Sequence, residues 1–574
     1  MTELLRLYDD LGFGEDARAT AARRAALAAA LAVEVDPTSI VDYRSAGFLL
    51  IIGGELDALE CADMLRSRLH CTVMATNRHD GELSESARSA LADEGQVLML
   101  HGEPGPIEGH LGRFSVRLRT PRGEDLAPAE FSRADHPYFD LVLDLRREPG
   151  LRMELPPFGY YAPAGDAERL ARAMDEIPQM TGEFEKPRFY QYNPDICAHG
   201  DSGLTGCTRC IDACPTGAIR SLGEQVEVDP YLCQGAGTCA SVCPSGAMIY
   251  AYPGPKDQIA RLRGMLQAYR DAGGEAGPLL VFHDDEAGEQ RLRALAPGLP
   301  VNSIPVRVAD IGSVGMDQWF SALAYGAGGI VLIDTGEVPG TVRGAMQAQL
   351  DYARPILEAM GYSPQRLCWL DVHQQADALD GIDPLDISAA SFDTFNEKRG
   401  TLRLALDHLF EQGSARPVEV NLPQGAPFGR VQVDTEACTL CMSCPQVCPT
   451  RALTDAGDKP QLSFTEDLCV QCGLCEVACP ENAITLDARF LFDWEQRRRP
   501  RVLNEEEPFC CVSCGKPFAT ASVIQRMTQR LEGHHMFQTA EAVRRLQMCG
   551  DCRVVDMFQD DLEGGSKPRW FGPQ

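Results

Sequence analysis

The sequence has no apolar run long enough to cross a membrane. Stretches such as Gly47 to Ile52 fall far short of the roughly 20 residues a helical span needs. The opening Met-Thr-Glu-Leu-Leu-Arg lacks a basic segment followed by an apolar one, so no secretory leader is expected. Basic residues are in short supply: 53 Lys and Arg against 83 Asp and Glu leave a net charge of −30. A net basic face for phosphate is therefore absent, which argues against a nucleic-acid partner. No Ser–His–Asp arrangement, phosphate loop or carboxylate pair stands out as a catalytic centre. Runs such as Asp284-Asp-Glu286 read as solvated faces. These absences set the expectation of a cytoplasmic protein without a substrate site of its own.

Cysteine, by contrast, is abundant, with 23 among 574 residues. In a reducing compartment, clustered cysteines act as ligands rather than disulfides. Twenty fall into three tight groups, while Cys61, Cys71 and Cys368 stand alone and read as small core residues. The length suits about three to five domains. The expected class is α+β multidomain. An N-terminal α/β domain covers 1–150, a first cysteine module 186–255 and a second α/β domain 256–412. A second cysteine module covers 428–490 and a four-cysteine metal-binding module 500–574. In the N-terminal part, a helix over Ala17 to Val33 precedes strands at Phe48 to Ile52, Cys71 to Ala75 and Leu141 to Leu145. In 256–412, strands at Leu279 to Phe282, Val301 to Val308, Gly329 to Asp334 and Arg366 to Leu370 alternate with helices, the pattern of a parallel sheet. Gly53-Gly54 lacks the third glycine and the spacing of a dinucleotide fingerprint. Arg497, Arg498, Arg499 and Arg501 read as a solvated linker or a docking site.

The two cysteine modules repeat each other: Cys214-Pro-Thr-Gly-Ala-Ile parallels Cys448-Pro-Thr-Arg-Ala-Leu. In the second module, Cys438, Cys441 and Cys444 precede Cys448-Pro449, and Cys469, Cys472 and Cys475 precede Cys479-Pro480. Two residues between thiolates let one loop wrap three irons of a cubane, and the fourth cysteine of each run ligates the other cluster. One cluster is thus expected on Cys438, Cys441, Cys444 and Cys479, the other on Cys469, Cys472, Cys475 and Cys448. Two fully ligated, closely spaced clusters describe a wire rather than a catalyst. The spacing closely resembles that of bacterial two-cluster ferredoxins, which implies two ferredoxin-like βαββαβ modules.

The first module departs twice from this pattern. Nine residues separate Cys197 from Cys207, and the run then continues to Cys210 and Cys214-Pro215. A longer loop still delivers the same thiolate, so a four-iron cluster on Cys197, Cys207, Cys210 and Cys243 is expected. The second half reads Cys233, Cys239, Cys243, with Ala236 at the middle ligand position. Only Cys214, Cys233 and Cys239 then remain for the other cluster. This resembles the three-iron half of seven-iron ferredoxins and favours 3Fe–4S. The competing reading is a fourth 4Fe–4S cluster with a non-cysteine or exogenous ligand.

Near the C-terminus, Cys511-Val-Ser-Cys514 and Cys549-Gly-Asp-Cys552 form two knuckles separated by 34 residues. Such pairs make a closed tetrahedral site best suited to zinc, in a zinc-ribbon-like module, with another iron–sulfur centre as the alternative. Cys510 is a spare or alternative ligand, and His534 and His535 read as loop residues.

Further resemblances are regional. Pro305-Val-Arg-Val308, Gly326-Ala-Gly-Gly329 and the strand ending at Asp334 are similar to the iron–sulfur delta subunit of hydrogenase–heterodisulfide reductase complexes, which implies a flavodoxin-like fold. The cysteines of that family are missing, since Phe282-His-Asp-Asp285, Ala309-Asp-Ile-Gly312 and Asp334-Thr-Gly-Glu337 stand in their places. Gly109-His-Leu-Gly-Arg-Phe-Ser-Val-Arg117 faintly resembles the flavoprotein subunit of heterodisulfide reductase, without its flavin fingerprint. The chain also resembles large iron–sulfur proteins associated with formate dehydrogenase, including Cys-Gly-Lys-Pro-Phe at 514–518. The resemblance implies electron transfer for such a dehydrogenase. The alternatives are an accessory or maturation factor for a molybdenum or tungsten formate dehydrogenase, and an enzyme with flavin at Gly53-Gly54 or a substrate at the open cluster corner.

Overall fold

A computed structural model of the chain describes residues 16–79, 81–92, 97–132, 136–379, 381–382, 385–393, 397–457, 459–531 and 533–563, with residues 8, 11 and 13. Its first sheet is parallel. It runs Val97–His101, His70–Ala75, Phe48–Gly53, Leu141–Asp144 and Tyr160–Tyr161, so chain order reads 3-2-1-4-5 across it. Side chains alternate between its faces. Leu49, Ile51, Val73 and Leu143 enter one core with the helix Glu55–Leu65; Leu50, Ile52, Met74 and Val142 enter another. Burial on both faces explains the unbroken apolar run at 48–52. The second face is covered by a small antiparallel sheet, Glu103–Glu108, Ser115–Arg119 and Asp125–Leu126. Cys61 and Cys71 lie in the first core, and burial pushes their thiols up to about 11 and about 12. At Gly53-Gly54 the first helical turn carries Glu55 and Asp57, whose charge opposes the phosphate a helix N-terminus would otherwise attract.

A second parallel sheet runs Ser303–Arg307, Leu279–His283, Gly329–Ile333 and Leu367–Leu370, or 2-1-3-4 in chain order. The helix Met316–Ala324 beside it is buried along its whole length. The helix Ala17–Leu31 does not pack on the sheet that follows it in sequence. Its alanines approach the helix Pro255–Asp271 closely, and Ala22, Ala26 and Leu27 join the core of this second sheet. Arg23, buried beneath it, donates to the carbonyls of Ser303 at 2.8 Å and Val301 at 2.6 Å.

Both cysteine modules fold alike. In each, first and last strands pair antiparallel: Tyr190–Tyr192 with Met248–Tyr250, and Gly429–Val433 with Ile484–Leu491. An inner hairpin, Ile219–Ser221 with Val226–Val228 or Leu453–Asp455 with Gln461–Phe464, completes each unit. Short helices follow the cysteine loops at Arg209–Asp212, Thr238–Ser241, Ser443–Gln446 and Leu474–Ala478.

Of the arginines at 497–501, Arg497 is buried, while Arg498, Arg499 and Arg501 are exposed, Arg498 and Arg501 near buried acids. Buried Arg497 donates to Asp407 at 2.5 Å and stacks on Phe490. Arg498 and Arg403 approach Asp467, and Arg489 and Arg501 approach Glu466. Both carboxylates are buried, so pairing on all sides is what makes them tolerable there. The C-terminal hairpin, Pro508–Cys510 with Pro517–Thr520, docks on the second module: the Thr520 hydroxyl donates to the Thr439 carbonyl at 3.0 Å. Among the described residues, no helix is long and apolar enough to cross a membrane.

Candidate iron–sulfur and metal centres

The cysteine loops of the second module share one backbone device. Leu440 and Met442 flank Cys441, and Gln471 and Gly473 flank Cys472, all in the left-handed region. Two such residues curl a seven-residue loop so that three thiols converge on one side of it. Cys438, Cys441, Cys444 and Cys479 line a single small cavity of about 20 Å³. Burial first, then Cys438 and Cys441, and more weakly Cys479, push the Cys444 thiol up to about 12. Across the module, Cys475 is raised by burial and then by Cys469, Cys472 and Cys448, with Cys444 as its link to the neighbouring group. Buried thiols that resist ionisation alone, packed four together, fit a cationic iron core that takes thiolates. Amide donors reach the sulfurs: Gln471 Nε2 donates to Cys469 at 3.3 Å and the Ala483 amide to Cys479 at 3.3 Å.

The first module builds the same device at Gly235, Ala236 and Gly237. Both glycines are left-handed, so Ala236 occupies the place Cys472 holds in the second module. The Ala236 loop is pressed onto the second α/β domain. A Cβ on Gly312 would come within 2.4 Å of the Ala236 carbonyl, and one on Gly237 within 2.5 Å of Ser313. Cys239 is raised well above the ordinary thiol range by burial, then by Cys233 and Cys214. Cys210 is raised to about 12 by burial, then by Cys243, Cys207 and Cys197.

The nine residues between Cys197 and Cys207 form a hairpin, Gly200–Asp201 with Leu204–Thr205. Its base returns the chain: the Cys207 amide donates to Ala198 at 2.9 Å and the Gly206 amide to His199 at 2.7 Å. Buried His199 pins it, with Nδ1 2.8 Å from the Cys207 carbonyl and Nε2 2.7 Å from the Ser221 hydroxyl. The same hairpin meets the second module. A Cβ on Gly206 would lie 2.6 Å from Leu474 and 3.2 Å from the Cys472 carbonyl. The charge of Cys207 reaches Cys472, whose thiol burial has already pushed up to about 12. With Cys210 and Cys243 acting on Cys239, Cys207 on Cys472 and Cys444 on Cys475, the expected ligand groups neighbour one another in a file: Cys214, Cys233 and Cys239; then the Cys207 group; then the Cys472 group; then the Cys441 group.

Three cations beside this file carry no sequence signature. Arg399 joins the modules, donating to the backbone carbonyls of Pro244 at 3.3 Å and Cys469 at 2.9 Å. Burial, then Arg403, bring its pKa down to about 10, so it stays charged at neutral pH. Lys398 donates to the carbonyls of Ala240 at 2.8 Å and Ser241 at 2.5 Å. Lys186 donates to the Cys233 carbonyl at 2.6 Å, and burial lowers it to about 8.

At the C-terminus, the sulfurs of Cys511, Cys514, Cys549 and Cys552 all lie within 4.8 Å of one another. Burial opposes ionisation of Cys511, but amides of Cys514, Cys549 and Ser513 outweigh it and bring the thiol down to about 6. Hydrogen bonding to Cys514 raises Cys552 to about 12. One thiolate inside a closed set of four suits a tetrahedral cation. Cys510 is exposed and turned to the Pro508 carbonyl, and His534 and His535 are exposed, so none of the three joins the set.

Residues 176–247 match the 4Fe–4S dicluster domain, and residues 431–454 and 462–485 match the 4Fe–4S binding domain. The chain is 38% identical over 81 residues to indolepyruvate oxidoreductase subunit IorA of Pyrococcus horikoshii, covering 14% of this chain and 11% of that one. It is 34% identical over 61 residues to a subunit of the ion-translocating oxidoreductase complex of Methanosarcina acetivorans, 11% of this chain and 23% of the relative. A ferredoxin 7Fe of Hydrogenibacillus schlegelii is 41% identical over 54 residues, 9% of this chain and 67% of the relative. The chain thus spans only a small part of the two oxidoreductase subunits. Through these cysteine modules it belongs to the ferredoxin family of 4Fe–4S iron–sulfur proteins that serve electron transfer.

Proposed function

We propose that this protein relays electrons for a dehydrogenase through four cluster sites arranged in one file. The observation that carries this reading is the junction at Gly206, where the Cys207 loop meets Leu474 and the Cys472 carbonyl. Two ferredoxin modules of independent purpose have no need to touch through their ligand loops.

Cys438, Cys441, Cys444 and Cys479 hold one 4Fe–4S cluster in this reading, and Cys448, Cys469, Cys472 and Cys475 the next. Cys197, Cys207, Cys210 and Cys243 hold a third. Cys214, Cys233 and Cys239 hold a 3Fe–4S cluster, supported by the methyl group of Ala236 in the middle-ligand place and by the likeness to a ferredoxin 7Fe. Such clusters supply one-electron storage at potentials set by charge, hydrogen bonds and exposure. The chain's own residues do the rest. Loops exclude water from the sulfurs, amides donate to them, and Arg399 places a fixed positive charge between the modules. Cys511, Cys514, Cys549 and Cys552 hold zinc as a structural clasp on the far end of the file.

The redox partner we propose is a cytoplasmic dehydrogenase such as formate dehydrogenase, on the sequence likeness at 514–518. Anaerobic affinity purification with identification of the co-purifying chains tests it. A salt-stable formate dehydrogenase subunit supports the assignment, a different oxidoreductase removes formate but keeps the relay, and a cluster-free chain overturns the relay itself.

A further inference from the structure

Where the first module, the second α/β domain and the second module meet, they leave a cleft of about 380 Å³. One wall is a face of the helix Gly340–Ala359. Gly344, Ala345, Ala348 and Tyr352 recur there at the spacing that aligns residues on one side of a helix. The small side chains make the room, and a Cβ added at Gly344 meets nothing within 4 Å. The opposite walls are apolar: Val242 and Pro244 from the first module, Leu402 from the connecting helix, and Pro427 and Phe428 at the edge of the second module. Cys243, from the Cys207 group, lines the same cleft.

The charge in this cleft runs against that of the chain. In a protein of net charge −30, its walls hold Arg209, Lys398 and Arg399 against a single acid, Asp212. Asp212 is engaged by the Thr208 hydroxyl at 2.6 Å, and Lys398 lies 3.9 Å from Asp317. Arg209 and Arg399 form no ion pair with a carboxylate among the described residues. Arg209 meets the Gln471 carbonyl at 3.4 Å, Arg399 meets backbone carbonyls alone, and the buried Nε of Arg399 has no hydrogen-bond partner. Apolar walls select a flat, weakly polar body, and two guanidinium groups without carboxylate partners select an acidic substituent.

We infer that this cleft binds a planar aromatic compound bearing an acidic group, of the class of sulfonated or carboxylated quinones. The site adjoins the Cys207 group, with which it shares Cys243, and adds a small-molecule ligand to the protein. Its placement against Cys243 sets an electron-accepting ring beside the inner ligand group of the file.

Titration calorimetry of the full, anaerobically purified chain with anthraquinone-2-sulfonate tests the inference without turnover. One saturable site per chain is expected. Gly344→Phe fills the open space from the helix side, and Arg209→Glu reverses a wall charge. Each is expected to weaken binding at least tenfold, whereas Arg209→Lys retains most of it. Arg152→Glu, on an exposed residue outside the cleft, leaves binding unchanged. Absence of saturable heat, or binding that survives both Gly344→Phe and Arg209→Glu, overturns the inference. Should Gly344→Phe purify without its visible absorption, the two Arg209 variants decide the matter.

Discussion

At Ala236 a methyl group stands where a thiolate would complete a set of four, yet the loop around it keeps the left-handed residues of its counterpart. The repeat made that substitution legible, because Cys233 and Cys239 are spaced as Cys469 and Cys475 are. Ala236→Cys is therefore expected to add one iron per chain and remove the oxidised three-iron signal, checked by iron analysis and electron paramagnetic resonance. An unchanged iron count would mean that another group already fills the corner. Asp310, in a cysteine-free strand end, gave no such signal. Burial pushes its carboxyl up to about 7, while it accepts from the Gly312 amide at 2.9 Å. Between about pH 4 and pH 7 the folded chain keeps a proton that the unfolded chain has released. Stability should fall as pH rises through that window, by at most about 1.4 kcal/mol per pH unit. Asp310→Asn should flatten the profile of urea midpoints between pH 5 and 7.5; an equal slope in both proteins would reject this.

Among the elements, the strands were the most readable. Unbroken apolar runs placed most strands of both parallel sheets within a residue or two, since each sheet buries both faces, but the edge strand Tyr160–Tyr161 went unread. The hairpin at 200–205 was readable only as an insertion, because its purpose lies in another module. The helix Lys398–Gln412 was less readable still. Its opening Lys398 and Arg399 look like ordinary surface cations, and only the three-way packing turns them inward. Arg399→Met keeps the volume and removes the charge. Because a nearby positive charge favours the reduced state, the centre of Cys469 should drop in potential by roughly tens of millivolts, about 59 mV being a tenfold change for one electron. Redox titration of each centre reads this, and a uniform shift of all four would point to general loosening. Between the last two helices, Cys549→Ser should release one zinc while the iron content stays level, measured by metal analysis of one sample.

For the whole molecule, the file of thiol groups depends on how separate units sit together, which spacing within a module does not encode. Sequence repetition located the two halves of each module, and the domain between them showed only the absence of its family's cysteines. In the fold its loops press on Ala236 and its helix Lys398–Gln412 carries the Arg399 that joins the modules. Gly206→Val places a branched side chain against Leu474, so the modules must part at that point. Magnetic interaction between reduced centres should then be lost across the junction and kept within each module. Retained interaction across the junction would show that the modules are held by Arg399 and its neighbours alone.

The helix Ala17–Leu31 packs on Pro255–Asp271, roughly 240 residues later in the chain. During translation at about 5 to 20 residues per second, its Ala-rich face waits roughly 12 to 48 seconds for that partner to be made. By the end of that wait the first cysteine module has been synthesised, while Gly312 and Ser313, which press on its open corner, have not. Iron therefore has access to Cys214, Cys233 and Cys239 on a nascent chain before the wall that later covers them exists.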